Sequence, residues 1–210
     1  MHTIVAFVSQ KGGVGKSSLA RAFARESAAA GLDVRIADLD TQQGTSVEWH
    51  RSRLENELEP AVAVEAFGSA KHALSKARCD LLVIDAPART SAGTLEIAQS
   101  ADLIIQPSGA SLDDLRPCVR AFLALQKAGI KSKKLVVALT RIATDSEAEA
   151  ARDYLKEAGI TVLGSYVPER PAYRAAQNKG RALTETPFES LNQQAEQVLQ
   201  NIVDMIGGKR

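Results

Sequence analysis

The chain has 210 residues, 45% of them apolar, and its 26 basic and 25 acidic side chains leave a formal charge of +1. That length and composition suit one domain with a sizeable core, and the near-neutral charge means that any DNA contact must come from a local patch. No apolar run is long enough to span a membrane, the N-terminus leads straight into a strand pattern rather than a signal peptide, and Cys79 and Cys118 lack metal-ligand spacing, which fits a reducing, cytoplasmic setting.

In chain order, the predicted strands are Thr3–Ser9, Val34–Leu39, Val62–Ala66, Leu81–Ala86, Leu103–Gln106, Leu135–Thr140 and Val162–Val167. Most are short, continuous runs of Val, Ile and Leu, as expected for strands buried on both faces of a parallel sheet. Predicted helices alternate with them at Lys16–Ala30, Thr45–Leu54, Ala70–Ala77, Ala92–Ser100, Asp113–Ala128, Ser146–Ala158 and Pro171–Asn178. Gly31, Gly129 and Gly159 stand where helix C-caps are expected. A last amphipathic stretch runs from Phe188 to Ile206. The alternation predicts an α/β fold: an open, doubly wound, mostly parallel sheet of about seven strands with helices on both faces. With no repeat, linker or low-complexity tract, residues 1–210 read as one domain.

Ligands of such sheets sit at the carboxyl ends of the strands. The first strand hands over to a helix through Gln10-Lys11-Gly12-Gly13-Val14-Gly15-Lys16-Ser17-Ser18. Glycines let a backbone approach a phosphate closely, and a helix N-terminus offers free N–H groups and a favourable dipole to an anion. In such a loop Lys16 would reach the β/γ-phosphates and the Ser17 hydroxyl would hold Mg²⁺. Gln10 replaces the leading glycine of the usual phosphate-loop pattern, and Lys11 is an added lysine.

At the end of the second strand, Asp38 and Asp40 stand at i and i+2 and would share a face while the chain stays extended. Two buried carboxylates need a cation, a water or hydrogen-bond donors. The fourth strand reads Leu81-Leu82-Val83-Ile84-Asp85, an apolar run ending in an aspartate suited to Mg²⁺. The small, polar stretch from Ala88 to Thr94 reads as a loop able to order around a γ-phosphate.

The segment Lys11–Ser17 resembles the deviant Walker A loop of the ParA/MinD ATPases, with Ser18 in place of the usual threonine. The resemblance extends through Asp38–Gln42, where Thr41 replaces a proline, and through Asp85-Ala86-Pro87, where a second proline is missing. It is looser beyond about residue 100, where Arg170-Pro171-Ala172-Tyr173-Arg174-Ala175-Ala176 is similar to small ParA-type partition ATPases. It implies a P-loop NTPase fold, with ATP held by Lys11, Gly12, Gly13, Val14, Gly15, Lys16, Ser17 and Ser18. Arg141 and Pro168 would flank the adenine, and Mg²⁺ would be held by Ser17, Asp85 and, nearby, Asp38. Lys11, Lys16 and Asp40 would be catalytic: Lys11 would cross to the ATP of a second subunit, and Asp40 would orient the attacking water while Asp38 braced the loop.

The implied activity is slow ATP hydrolysis by an ATP-dependent homodimer, stimulated by a centromere-binding or adaptor protein. Its ATP state would bind DNA non-specifically, which gives a cytoplasmic, nucleoid-associated location and a role in plasmid or chromosome partition. The basic candidates for DNA are Lys131, Lys133, Lys134, Arg170, Arg174, Lys179 and Arg181. Two alternatives are a MinD-like positioning ATPase with a non-DNA cargo and a nucleotide-gated scaffold with negligible hydrolysis. An iron–sulfur carrier lacks its cysteines here, and a small-molecule ligase with this fold does not call for Lys11. The C-terminal stretch carries glutamines and acids on its polar side, with only Lys209 and Arg210 basic, so it is expected to dock on the sheet rather than on a membrane. Trp49, the only tryptophan, follows the Asp38–Gln42 segment closely enough to report on nucleotide.

Overall fold

A computed structural model describes residues 3–88 and 91–208. Its seven strands are β1 (Thr3–Ser9), β2 (Val34–Asp38), β3 (Ala63–Ala66), β4 (Leu81–Ala88), β5 (Leu103–Ser108), β6 (Leu135–Ile142) and β7 (Val162–Pro168). They form one sheet in the order β3-β2-β4-β1-β5-β6-β7, and every neighbouring pair is parallel. The helices are α1 (Lys16–Ala29), α2 (Thr45–Glu55), α3 (Ala70–Lys76), α4 (Ser91–Ser100), α5 (Leu112–Lys127), α6 (Asp145–Glu157), α7 (Pro171–Gln177) and α8 (Glu189–Ile206).

The strands alternate their side chains between two cores. Ile4, Ala6 and Val8 of β1 pack with buried residues of α3, α4, α5 and α6, while Val5 and Phe7 pack with those of α1, α2, α7 and α8. That two-sided burial is why the strands read as unbroken apolar runs. Thr144 caps α6 by accepting from the Glu147 amide, and Glu147 reaches back to the Ala143 amide. Gly31, Gly129 and Gly159 take left-handed conformations just after α1, α5 and α6, as expected. α8 buries Ala195, Val198, Leu199 and Ile202 in the same core as Leu163 and Val167 of β7, so the C-terminal stretch docks on the sheet. Among the described residues no helix is long and apolar enough to cross a membrane. Lys209 and Arg210 lie outside the described residues.

Several boundaries differ from expectation. β4, β5 and β6 each run two residues further, to Ala88, Ser108 and Ile142. Gln106, Ser108 and Thr140 are polar but buried, and Gln106 and Ser108 keep register with Val137 and Leu139 of β6, so the ladder outlasts the hydropathy signal. The segment expected as a loop from Ala88 to Thr94 is strand up to Ala88 and helix from Ser91, and its residues 89–90 lie outside the described ones. A 3-10 turn at Ser132–Lys134, absent from the sequence reading, precedes β6.

The carboxyl end of β1 lies between those of β4 and β5. The chain departs from there to one side for β2 and to the other for β5, which is the crevice where open α/β sheets take ligands.

Candidate functional site

The loop after β1 is held firmly from the β6 side. Thr140 Oγ1 donates to the Val14 carbonyl at 2.7 Å and Arg141 Nη1 donates to the Gly13 carbonyl at 3.0 Å. Gly15 ends the loop at φ 82°, a left-handed conformation that favours glycine, and lies in ordinary van der Waals reach of Thr140. Ser9 Oγ brackets the other end, accepting from the Lys11 amide and donating to the Lys11 carbonyl. α1 then begins at Lys16, and its first-turn N–H groups have no partner within the helix. Lys11, Gly12, Gly13, Gly15, Lys16, Ser17 and Ser18 line a cleft of about 720 Å³, a size that suits a nucleotide. Val14 is turned into the protein and is buried, so only its backbone is available to a ligand.

Behind the β2–β4 side of the cleft lies a buried polar network, whose Asp38, Asp85 and Ser46 sit beneath the lining while Lys16 and Arg21 reach it. Asp38 and Asp85 are partners in register across β2 and β4, and both are buried. Lys16 Nζ lies 3.3 Å from Asp85 Oδ1, and Ser46 Oγ donates to Asp85 Oδ2 at 2.7 Å. Arg21 Nε in turn donates to Ser46 Oγ at 3.1 Å. Asp38 Oδ2 accepts from the Ser46 and Val47 amides at the start of α2, and Asp38 Oδ1 accepts from the Asp40 amide at 3.0 Å. Burial and the neighbouring Asp85 charge push the Asp38 carboxyl above its ordinary value, against the pull of those amides. Burial lowers the Arg21 guanidinium, and the Asp85 and Asp38 charges oppose that shift.

This arrangement corrects the expectation that Asp38 and Asp40 share a face. β2 stops at Asp38 because its own carboxylate captures the Asp40 amide and turns the chain. Asp38 thus braces both ends of the Asp40 segment from beneath. Asp40 lies outside the sheet on the rim of the cleft, with Oδ1 accepting from the Gln43 amide at 3.2 Å. The Ser17 hydroxyl accepts from Thr45 Oγ1 at 3.3 Å, so α1 and α2 meet over the loop. Among the described residues no cluster of three or more His, Cys, Asp or Glu could cage a metal. A hydroxyl from Ser17 and a carboxylate from Asp85 are nonetheless the hard oxygen donors that suit Mg²⁺, an ion usually shared between one or two protein ligands and the phosphates of a substrate.

The opposite wall, on β6 and β7, is exposed. Arg141 takes a left-handed conformation at φ 58°, uncommon for a residue with a side chain. That geometry lets its guanidinium reach both the Gly13 carbonyl and Glu169. Glu169 also accepts from Arg174. The hydrogen bond from Arg141, aided by both arginine charges, holds the Glu169 carboxyl below its ordinary value despite partial desolvation. Arg141, Pro168, Glu169, Arg170 and Arg174 line the cleft here.

Lys11 is not extended into solvent: its ammonium pairs with Asp114 in the first turn of α5. The seven basic candidates do not form one patch. Lys131, Lys133 and Lys134 precede β6 at the amino end of its strand, Arg170 and Arg174 follow β7 at its carboxyl end and line the cleft, and Lys179 and Arg181 flank Gly180, which packs on Arg53 of α2. Lys134 is also committed to the Ala101 carbonyl at 2.7 Å.

Sequence reading missed Arg21, Ser46 and Asp114, and it took Thr140 with Arg141 as an adenine-flanking pair rather than as a support of the loop. Arg21 had a signal, a lone charge inside the buried run Leu19–Ala24 of α1. Asp114 had none, since it pairs across 103 positions of sequence.

Residues 5–183 match the CobQ/CobB/MinD/ParA nucleotide binding domain, and the chain belongs to that family. No curated protein shows significant sequence similarity to it. Solved structures share its fold at low identity. One, described as a plasmid partition protein of Borrelia burgdorferi B31 bound to AMPPNP, has a TM-score of 0.76 and 16% identity, covering 97% of this chain and 99% of that one. MinD of Pyrococcus horikoshii OT3 complexed with Mg-ADP has a TM-score of 0.76 and 18% identity over 100% of this chain and 99% of that one. A Cyanothece McdA(D38A)–ATP complex has a TM-score of 0.72 and 19% identity over 96% of both chains.

Proposed function

We propose that the chain is a Mg-ATP-dependent ATPase that forms an ATP-bound homodimer and positions a large cargo, with DNA partition as the first reading. The observation that carries it is the Lys11–Ser17 loop at the crevice of the sheet, with Lys16 paired to Asp85, the Ser17 hydroxyl bonded to Thr45 and Asp40 on the rim. Phosphoryl transfer to water calls mainly for positioning and charge stabilisation. Lys16 and the first-turn amides of α1 neutralise the β/γ-phosphates. Ser17 and Asp85 would hold the Mg²⁺, which would supply electrostatic stabilisation when bound. Asp38 braces the loop that presents Asp40, and Asp40 orients the water. Arg141 and Pro168 border the adenine side of the cleft. Lys11 leaves Asp114 for the phosphates of a second subunit, an exchange made easy by its 47% side-chain exposure.

The partition, MinD and McdA structures support the family reading, and AMPPNP, ATP and Mg-ADP in them support a nucleotide in this cleft. One neighbour is a MinC:MinD cell division protein complex from Aquifex aeolicus, which supports a protein partner for this chain; we take that partner to be an adaptor that stimulates hydrolysis. The scatter of the basic residues over separate parts of the molecule favours a second reading, in which the cargo is not DNA.

The test is ATP turnover of wild type and Asp40→Ala, with and without random-sequence DNA. Loss of an oriented water is expected to slow hydrolysis about a hundredfold and to leave a persistent ATP dimer in sedimentation. Unchanged turnover removes Asp40 from the mechanism. DNA retention that is salt-sensitive and needs ATP rather than ADP supports the DNA reading, while equal retention with both nucleotides favours the non-DNA one.

A further inference from the structure

We propose that Arg21 and Ser46 are positioning residues for Asp85, fixing which of its oxygens is free for the metal. The inference rests on the reading of Asp85 as the Mg²⁺ carboxylate. Arg21 stands one helical turn beyond Ser17 on α1, and positions four apart share a helix face. It is 8% exposed, and Ser46 at the start of α2 is fully buried.

A guanidinium can only donate, and a serine hydroxyl has a single hydrogen. With Arg21 Nε donating into Ser46 Oγ at 3.1 Å, that hydrogen must point elsewhere, and Asp85 Oδ2 receives it at 2.7 Å. Asp85 Oδ2 is therefore committed, and Oδ1 is left on the side of Lys16 and the phosphate loop at the long distance of 3.3 Å. The same serine donates its amide to Asp38 at 3.0 Å, so one residue ties α2 to both neighbouring carboxylates. Arg21 also brings a buried cation close to that carboxylate pair. Partners of this kind orient a metal ligand and tune its affinity without touching the ion.

A purely structural role is the competing reading, because the Arg21 guanidinium also lies 5.9 Å from the centre of the Trp49 ring. The two separate in the affinity for AMPPNP, measured by calorimetry in EDTA and at saturating Mg²⁺. In Ser46→Ala and Arg21→Met, AMPPNP affinity in EDTA is expected to stay at the wild-type value. The gain in affinity conferred by Mg²⁺ is expected to shrink about tenfold. An undiminished Mg²⁺ gain in folded variants overturns the proposal. So does an equal loss in EDTA and in Mg²⁺, which would mark Arg21 and Ser46 as packing residues. Where Arg21→Met does not fold, Ser46→Ala, which deletes one oxygen, decides alone. If wild type itself gains nothing from Mg²⁺, the reading of Asp85 fails instead, and the two failures are distinguishable.

Discussion

The two walls of the cleft are built by opposite means. On the β2–β4 side Asp38, Asp85, Ser46 and Arg21 are all buried, and each has a named partner. On the β6–β7 side the Arg141 and Arg174 side chains are 57% and 64% exposed and share Glu169. A buried polar network tolerates no missing member, because an abandoned group has no water to turn to. An exposed one can break and re-form with little loss. The first wall is thus fixed, which suits the phosphate and metal role proposed for it, and the second is free to adapt to whatever enters.

The largest expected effect lies behind the fixed wall. Arg53 of α2 is fully buried and donates to Glu185, to the Gly180 carbonyl and to the Glu59 and Pro60 carbonyls. Gly180 passes so close that a Cβ there would lie 2.4 Å from the Arg53 backbone nitrogen. Arg53→Ala takes the buried cation from Glu185, leaving it only Arg25 and the Ala182 amide, and empties a well-packed site, and is expected to cost about 3–5 kcal/mol in denaturant unfolding. Next comes Asp38→Ala, which leaves three amides without their acceptor and is expected to cost about 2 kcal/mol.

A pH series sharpens the contrast further. Burial raises the Glu185 carboxyl, but hydrogen bonds from Arg53 and the Ala182 amide, with the Arg25 charge, outweigh it and hold it below its ordinary 4.5. A depressed carboxyl contributes stability that is fully present above 4.5 and is lost as pH falls through its lower folded value. Glu185→Gln should flatten that part of the acid limb in thermal melts. The smallest effect belongs to the exposed wall, where Glu169→Gln should change stability by less than about 1 kcal/mol. A loss as large as that of Asp38→Ala would erase the distinction between the walls.

The fold was readable because burial on both faces writes itself as apolar runs, and β1 and α1 begin where the pattern places them. Strand ends were less readable, since Gln106, Ser108 and Thr140 are polar residues kept inside by the ladder and by the loop they support. Lys16, Ser17 and Asp85 could be picked out because glycine spacing and a carboxylate closing a strand leave a local signature. Their supports could not: Ser46 reaches Asp85 across 39 positions, and only the folded chain reveals that it answers to Arg21. The setting of Asp40 was hidden for a related reason, because hydropathy does not show that Asp38 will turn the chain onto itself.

Lys11 brings one more consequence. Because it already has an anionic companion, Asp114, in its own chain, any contact it makes in trans is a swap of one ion pair for another. Added electrolyte screens both the pair surrendered and the pair gained. Association through this lysine should therefore be less sensitive to ionic strength than the meeting of two free charges.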